Sequence, residues 1–126
     1  MIDTKVILWL MQYLFLIWFF CVFCHELGHA YVSWALGYRT RIIRYGTAVE
    51  TGVSGQFIPP IERVMICTAG PMANIFVALC LPVPWYVKAL CIDFAFCNLF
   101  PFFKPFRHSD GRQTLDAILE MKGRNA

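Results

Sequence analysis

The sequence predicts a mainly α, polytopic membrane protein with about three transmembrane helices and a short β-hairpin or strand segment between the first and second. Three observations predict it. Hydrophobic residues make up 59% of the 126, above the roughly one-half usual in a soluble domain. The excess falls in blocks: Val6 to Cys24 and Val64 to Val87 carry no charge, and Ala89 to Phe103 carries only Asp93. Each block is near the length a membrane span requires, about 20 apolar residues. Between the first two blocks the composition turns β-branched and glycine-rich. The length bounds the chain to one domain, 1–126.

The first predicted element is a helix over about 5–36. Asp3 or Thr4 suits its N-cap and Gly37 its C-terminal stop. A signal peptide is the competing reading of this run, but the run is long for one and no small-x-small cleavage site follows it. The segment 38–58, containing "YRTRIIRYGTAVETGVSGQFI", is broken by Gly46, Gly52 and Gly55 and reads as one or two strands. A free strand edge there suits an extended peptide added as a further strand. A second helix is predicted over about 60–81. It contains the small residues Ala69, Gly70 and Ala73, which favour close helix packing, and Pro71, which frees a backbone carbonyl. Pro82 and Pro84 mark a tight turn into a third helix over about 85–103. In the tail, 104–126, residues Asp110 to Met121 suit a short amphipathic helix with Leu115, Ile118 and Leu119 on one face.

The net charge of +3 gives no ground for nucleic-acid binding. Its distribution is more informative. Arg39, Arg41, Arg44 and Arg63 fall between the first two spans, and Lys104, Arg107, Arg112, Lys122 and Arg124 follow the third. Three spans put both groups on one side, which the positive-inside rule makes cytoplasmic, with the N-terminus outside. The six cysteines all fall in or beside apolar runs and read as small buried hydrophobes rather than a disulfide framework.

The chemistry gathers in "HELGH", His25 to His29. Residues four apart share a helix face, so His25 and His29 can ligate one zinc ion. Glu26 sits beside them as the base that takes a proton from water. Charged side chains at the middle of a membrane helix cost about 2.5–3.5 kcal/mol on insertion scales, so ionisable groups there mark function by default. The bland alternative is a cluster at a polar interface bonded to itself. A catalytic zinc needs a third protein ligand. The candidates are Asp93, His108 and Asp110, with Glu50 and Glu62 further off. Asp93 falls in the outer half of the third span, which disfavours it. Asp110, with Gln113 three residues on, also fits a helix N-cap.

These residues resemble the site-2 proteases, zinc metalloproteases that cut within the membrane. "HELGH" matches the first motif of that family. "AGPMAN", Ala69 to Asn74, is similar to its Gly-Pro-x-Ala-Asn element. "NLFP", Asn98 to Pro101, with "SDG", Ser109 to Gly111, resembles its Asn-x-x-Pro…Asp-Gly motif. The three motifs occur in the family's order and cover most of the chain. The resemblance implies a three-helix metalloprotease core holding one zinc ion, with His25, His29 and Asp110 as ligands and Glu26 as general base. It further implies Asn74 as a residue that holds the substrate backbone or the oxyanion, and Asn98 as one that binds the substrate or positions the third helix. Eight residues separate Pro101 from Asp110, more than in the family motif, which keeps His108 as the alternative third ligand.

The leading expectation is therefore an intramembrane zinc endopeptidase. Its partners are the lipid bilayer and a transmembrane-segment protein substrate, with room for regulatory or oligomeric partners. A pseudoprotease that keeps the zinc site and only grips membrane segments is the alternative. A zinc sensor or transporter is a third, though it has no need of a glutamate placed as a base.

Overall fold

The computed structural model describes residues 3–45, 48–53, 57–100 and 109–125, with the backbone alone for 41–45 and 48–53. The order is α1 (Thr4–Ala35), β1 (Thr40–Tyr45), β2 (Ala48–Val53), α2 (Pro60–Cys80), α3 (Trp85–Leu99) and α4 (Asp110–Arg124). Helix α2 is central and packs against α1, α3 and α4.

Each end of α1 has a local cause. The Asp3 carboxylate accepts from the Lys5 N–H at 3.0 Å, satisfying one orphan donor of the first turn. At the other end Gly37 has φ +84°. Its N–H donates to Trp34 O, and the Tyr38 N–H donates to Ser33 O, both at 2.9 Å. That pair of bonds is a Schellman motif, which only a residue at ease with positive φ can close cheaply. With 32 residues, α1 is about 48 Å long at 1.5 Å per residue. One ridge of α1, Ile17, Cys21, His25, His29 and Ser33, is buried at every fourth residue. Most of its remaining surface is apolar and exposed, including Trp9, Met11 and Leu16.

The strands β1 and β2 pair antiparallel, from Thr40 opposite Val53 to Tyr45 opposite Ala48. Helix α2 starts on Pro60, a position where the missing N–H costs nothing. Pro71 is buried inside it and leaves the Cys67 carbonyl without its usual helical donor.

Two helices, α1 and α2, are long and apolar enough to cross a membrane. The third expected span is not borne out at its expected length: helix α3 has 15 residues, about 22 Å, short of a hydrocarbon core of about 30 Å. It ends at Leu99 because Phe100 is extended, with ψ 112°, as suits a residue followed by proline. The remainder of the expected span, 101–103, lies outside the described residues.

The core between α1, α2 and α3 is Ile17, Cys21, Val77, Ala78, Val87 and Cys91. The Cys21 and Cys91 thiols meet there at 3.1 Å. Cysteine burial is uneven: Cys21, Cys67 and Cys91 are buried, but Cys80 and Cys97 are exposed. The helix expected in the tail is present as α4; its buried residues are Gly111 and Ala117, while Ile118 and Leu119 are exposed.

Candidate metal centre

His25 and His29 project from one face of α1 and are 4% and 7% exposed. Their Nε2 atoms stand 3.1 Å apart. Asp110, the first residue of α4, brings its Oδ2 to 2.8 Å from His25 Nε2 and 3.3 Å from His29 Nε2. Among the described residues these three form the group able to hold a metal ion, one atom from each within 4.8 Å of the others.

Asp110 is free for this role because it is not the helix cap. Ser109 is: its side chain accepts from the Arg112 N–H at 3.3 Å. The N-cap reading of Asp110 is thereby corrected by one residue. The approach of α4 depends on Gly111, where a side chain would collide with the backbone of Leu99 at the end of α3. On the opposite wall is Gly70 of α2. A Cβ there would run into the His29 imidazole and come within 2.8 Å of His25 Nε2.

The donor set fits a cation. His29 Nδ1 lies 2.7 Å from Ile66 O. A carbonyl only accepts, so that nitrogen carries the ring proton, and the neutral ring presents a lone pair at Nε2. Asp110 Oδ2 is buried, and the groups it faces are the two imidazole Nε2 atoms. Lone pairs crowded at about 3 Å repel unless a proton or a metal ion sits between them. A tetrahedral zinc ion with bonds of about 2.0–2.1 Å separates its ligand atoms by about 3.3 Å, close to the spacings seen. Two imidazoles and one carboxylate are also a donor set suited to zinc. Burial pushes the Asp110 carboxyl up, but the hydrogen bonds and charge of His25 and His29 outweigh it and hold the group below its ordinary value.

The other candidates are distributed around this centre. Glu26 follows His25 on α1, half-buried, and its carboxylate interacts electrostatically with His29. Asn74 is fully buried, its Nδ2 3.4 Å from His25 Nδ1. It faces a ligand from behind rather than an open surface. Asn98 donates to Phe94 O of its own helix at 2.9 Å and makes no described contact with the triad. Asp93 is exposed on α3 and stands outside the group. Glu62 is engaged by the Tyr38 hydroxyl. His108 and the Glu50 side chain lie outside the described residues.

Three contributors escape a sequence reading. The Ile66 carbonyl is a backbone group with no side-chain signature. Phe94 sets its ring edge-on to His25, with centroids 5.2 Å apart. Ser109 is marked only by its place before an acidic residue and a glycine. All four helices thus supply part of one centre. Compared with known proteins, the chain matches no family model, no curated protein and no solved structure.

Proposed function

We propose that the protein is an intramembrane zinc endopeptidase that hydrolyses a peptide bond in or near a transmembrane segment of another protein. The observation that carries this reading is the convergence of His25, His29 and Asp110 from two helices, with Glu26 on the turn that holds His25.

His25, His29 and Asp110 would hold the zinc ion. When bound, zinc supplies Lewis acidity and brings the ionisation of water toward neutral pH. Glu26 accepts a proton from the attacking water at its carboxylate and delivers it to the leaving amide nitrogen. The water oxygen joins the carbonyl carbon, the C–N bond breaks, and the products are a carboxylate and an amine. Because a helix hides its carbonyls in hydrogen bonds, the substrate segment must unwind locally before it can react. Weak helix formers near the cut, glycine above all, lower that cost by about 1 kcal/mol each.

The apolar surface supports the setting in a bilayer. Helix α1 exposes large apolar side chains along the stretch preceding the histidines, and helices hydrophobic all round belong in apolar surroundings. We read the chain as multi-pass, with α3 completing the core beside α1 and α2. With α3 as a short third span in a locally thinned bilayer, the basic segments favour an N-terminus outside and a metal centre toward the cytoplasmic side. The pseudoprotease reading rests on the stretched Pro101–Asp110 spacing; Asp110 stands beside both histidines despite it, and Glu26, which a binder does not need, favours the enzyme.

The test uses the full chain and Glu26→Gln, each purified in detergent, with zinc content measured and a transmembrane-segment reporter added. Equal zinc with cleavage by the wild type alone is expected. Cleavage that survives in Glu26→Gln removes the assigned base. Zinc bound by both with no cleavage across a broad reporter panel favours the pseudoprotease.

A further inference from the structure

Asn74 has a role that its motif position does not indicate. It is 0% exposed, so it presents no surface against which a substrate backbone can lie. Its amide faces the back of the His25 ring, with Nδ2 3.4 Å from Nδ1. Its Oδ1 is buried with no partner. These two facts form one problem. His25 Nε2 points at the centre, 2.8 Å from Asp110 Oδ2 and 3.1 Å from His29 Nε2. With the Nε2 lone pair committed to a cation, a neutral imidazole carries its proton on Nδ1. An amide NH2 against that N–H sets donor against donor. Turning the amide by half a rotation resolves both faults, because Oδ1 then accepts from Nδ1–H and no longer lies without a partner. The two ends of an amide have nearly the same shape and are assigned by hydrogen bonding.

We propose that Asn74 is a positioning residue of the metal centre, its Oδ1 accepting from His25 Nδ1–H and fixing Nε2 as the ligand atom. Helix α2 then serves both histidines in the same way. The Ile66 carbonyl accepts from His29, and the Asn74 side chain, two turns further on, accepts from His25. Such partners set ring orientation and tautomer and raise ligand basicity. This role replaces the oxyanion or substrate contact expected for Asn74, and it rests on the metal-centre reading given above.

The experiment measures zinc affinity by chelator competition for the full-length wild type, Asn74→Leu and Asn74→Asp in detergent. It adds long-range 1H–15N correlation of the histidine rings in the zinc-loaded wild type. Asn74→Leu, which cannot accept, should bind zinc about 10–100-fold more weakly. Asn74→Asp, which accepts at the same place, should stay within a few-fold of wild type. The His25 ring should show a ligated Nε2 and a solvent-protected Nδ1–H. Wild-type affinity in a folded Asn74→Leu, or loss of zinc in a folded Asn74→Asp, overturns the proposal, as does ligation of His25 through Nδ1. If Asn74→Leu does not fold, Asn74→Asp and the wild-type spectrum still decide. A wild type that binds no zinc is a separate result, and it removes the metal-centre reading itself.

Discussion

His29 is aimed by a backbone carbonyl and given room by a missing side chain. The Ile66 carbonyl holds its Nδ1 at 2.7 Å, and Gly70, one turn further along α2, leaves the space its Nε2 side requires. Gly70→Ala therefore sets two effects against each other. Alanine favours the helix by about 0.8–1.0 kcal/mol over glycine, yet the new methyl occupies the ground of the imidazoles. The expected outcome is unchanged helicity by circular dichroism with zinc affinity at least ~10-fold weaker, comparable to losing an outer-shell partner. Zinc bound as tightly as by the wild type would show that α2 does not wall the centre. Asp110→Ala tests the ligand more directly. It deletes a donor atom, so its loss of affinity should exceed that of Gly70→Ala in the same competition assay. If Asp110→Ala keeps full affinity, the third ligand lies elsewhere.

At the scale of elements, α4 delivers Asp110, and what places α4 is its first turn. Ser109 caps it and Gly111 lets it close on Leu99. Further along, Arg63 of α2 pairs with Glu120 at 3.2 Å, though this half-exposed pair is worth little. Ser109→Ala should cost about 1 kcal/mol, as N-cap removals do. The loss should fall on the amides of the first turn of α4, which should exchange faster with deuterium while those of α1 stay unchanged. Uniform acceleration across all helices would mean that Ser109 supports the whole fold rather than this turn. The same elements show what a sequence can carry. Hydropathy and the punctuation of Asp3, Gly37 and Pro60 make α1 and α2 legible, because these causes are local. The His25–His29 pairing is legible too, since helical spacing alone sets it. The arrival of Asp110 is not: it depends on packing across the 80 residues between His29 and Asp110, and only resemblance to a motif suggests it. Helix α4 is legible from Leu115, Ile118 and Leu119, but the residues it buries, Gly111 and Ala117, are set by close approach to α2 and α3 and carry no hydrophobic signal.

For the whole molecule, the metal centre ties the first helix to the last, so ligation and tertiary structure should respond to acid in two separate steps. Zinc held at the proposed centre would stabilise the folded chain by about 2.7 kcal/mol with free zinc at 100 times its dissociation constant. That stabilisation requires unprotonated imidazoles, so zinc should leave first as pH falls. Without metal, Asp110 still ties α4 to His25 and His29. Its carboxyl is held below the ordinary range, despite the opposing effect of burial. A carboxyl held low in the folded state contributes stability above its unfolded value, about 3.9. That contribution disappears only as pH falls through the lower, folded value. Acid should therefore release zinc in a first step, while α4 stays docked until below about pH 4. Zinc release can be followed with a chelating dye, and α4 docking by limited proteolysis with an acid-active protease at each pH. Chelation at neutral pH should reproduce the first step alone, leaving α4 protected. If α4 becomes cleavable at the pH where zinc departs, the metal rather than the Asp110–histidine contacts holds the fourth helix in place, and the metal-free fold described above does not persist in solution.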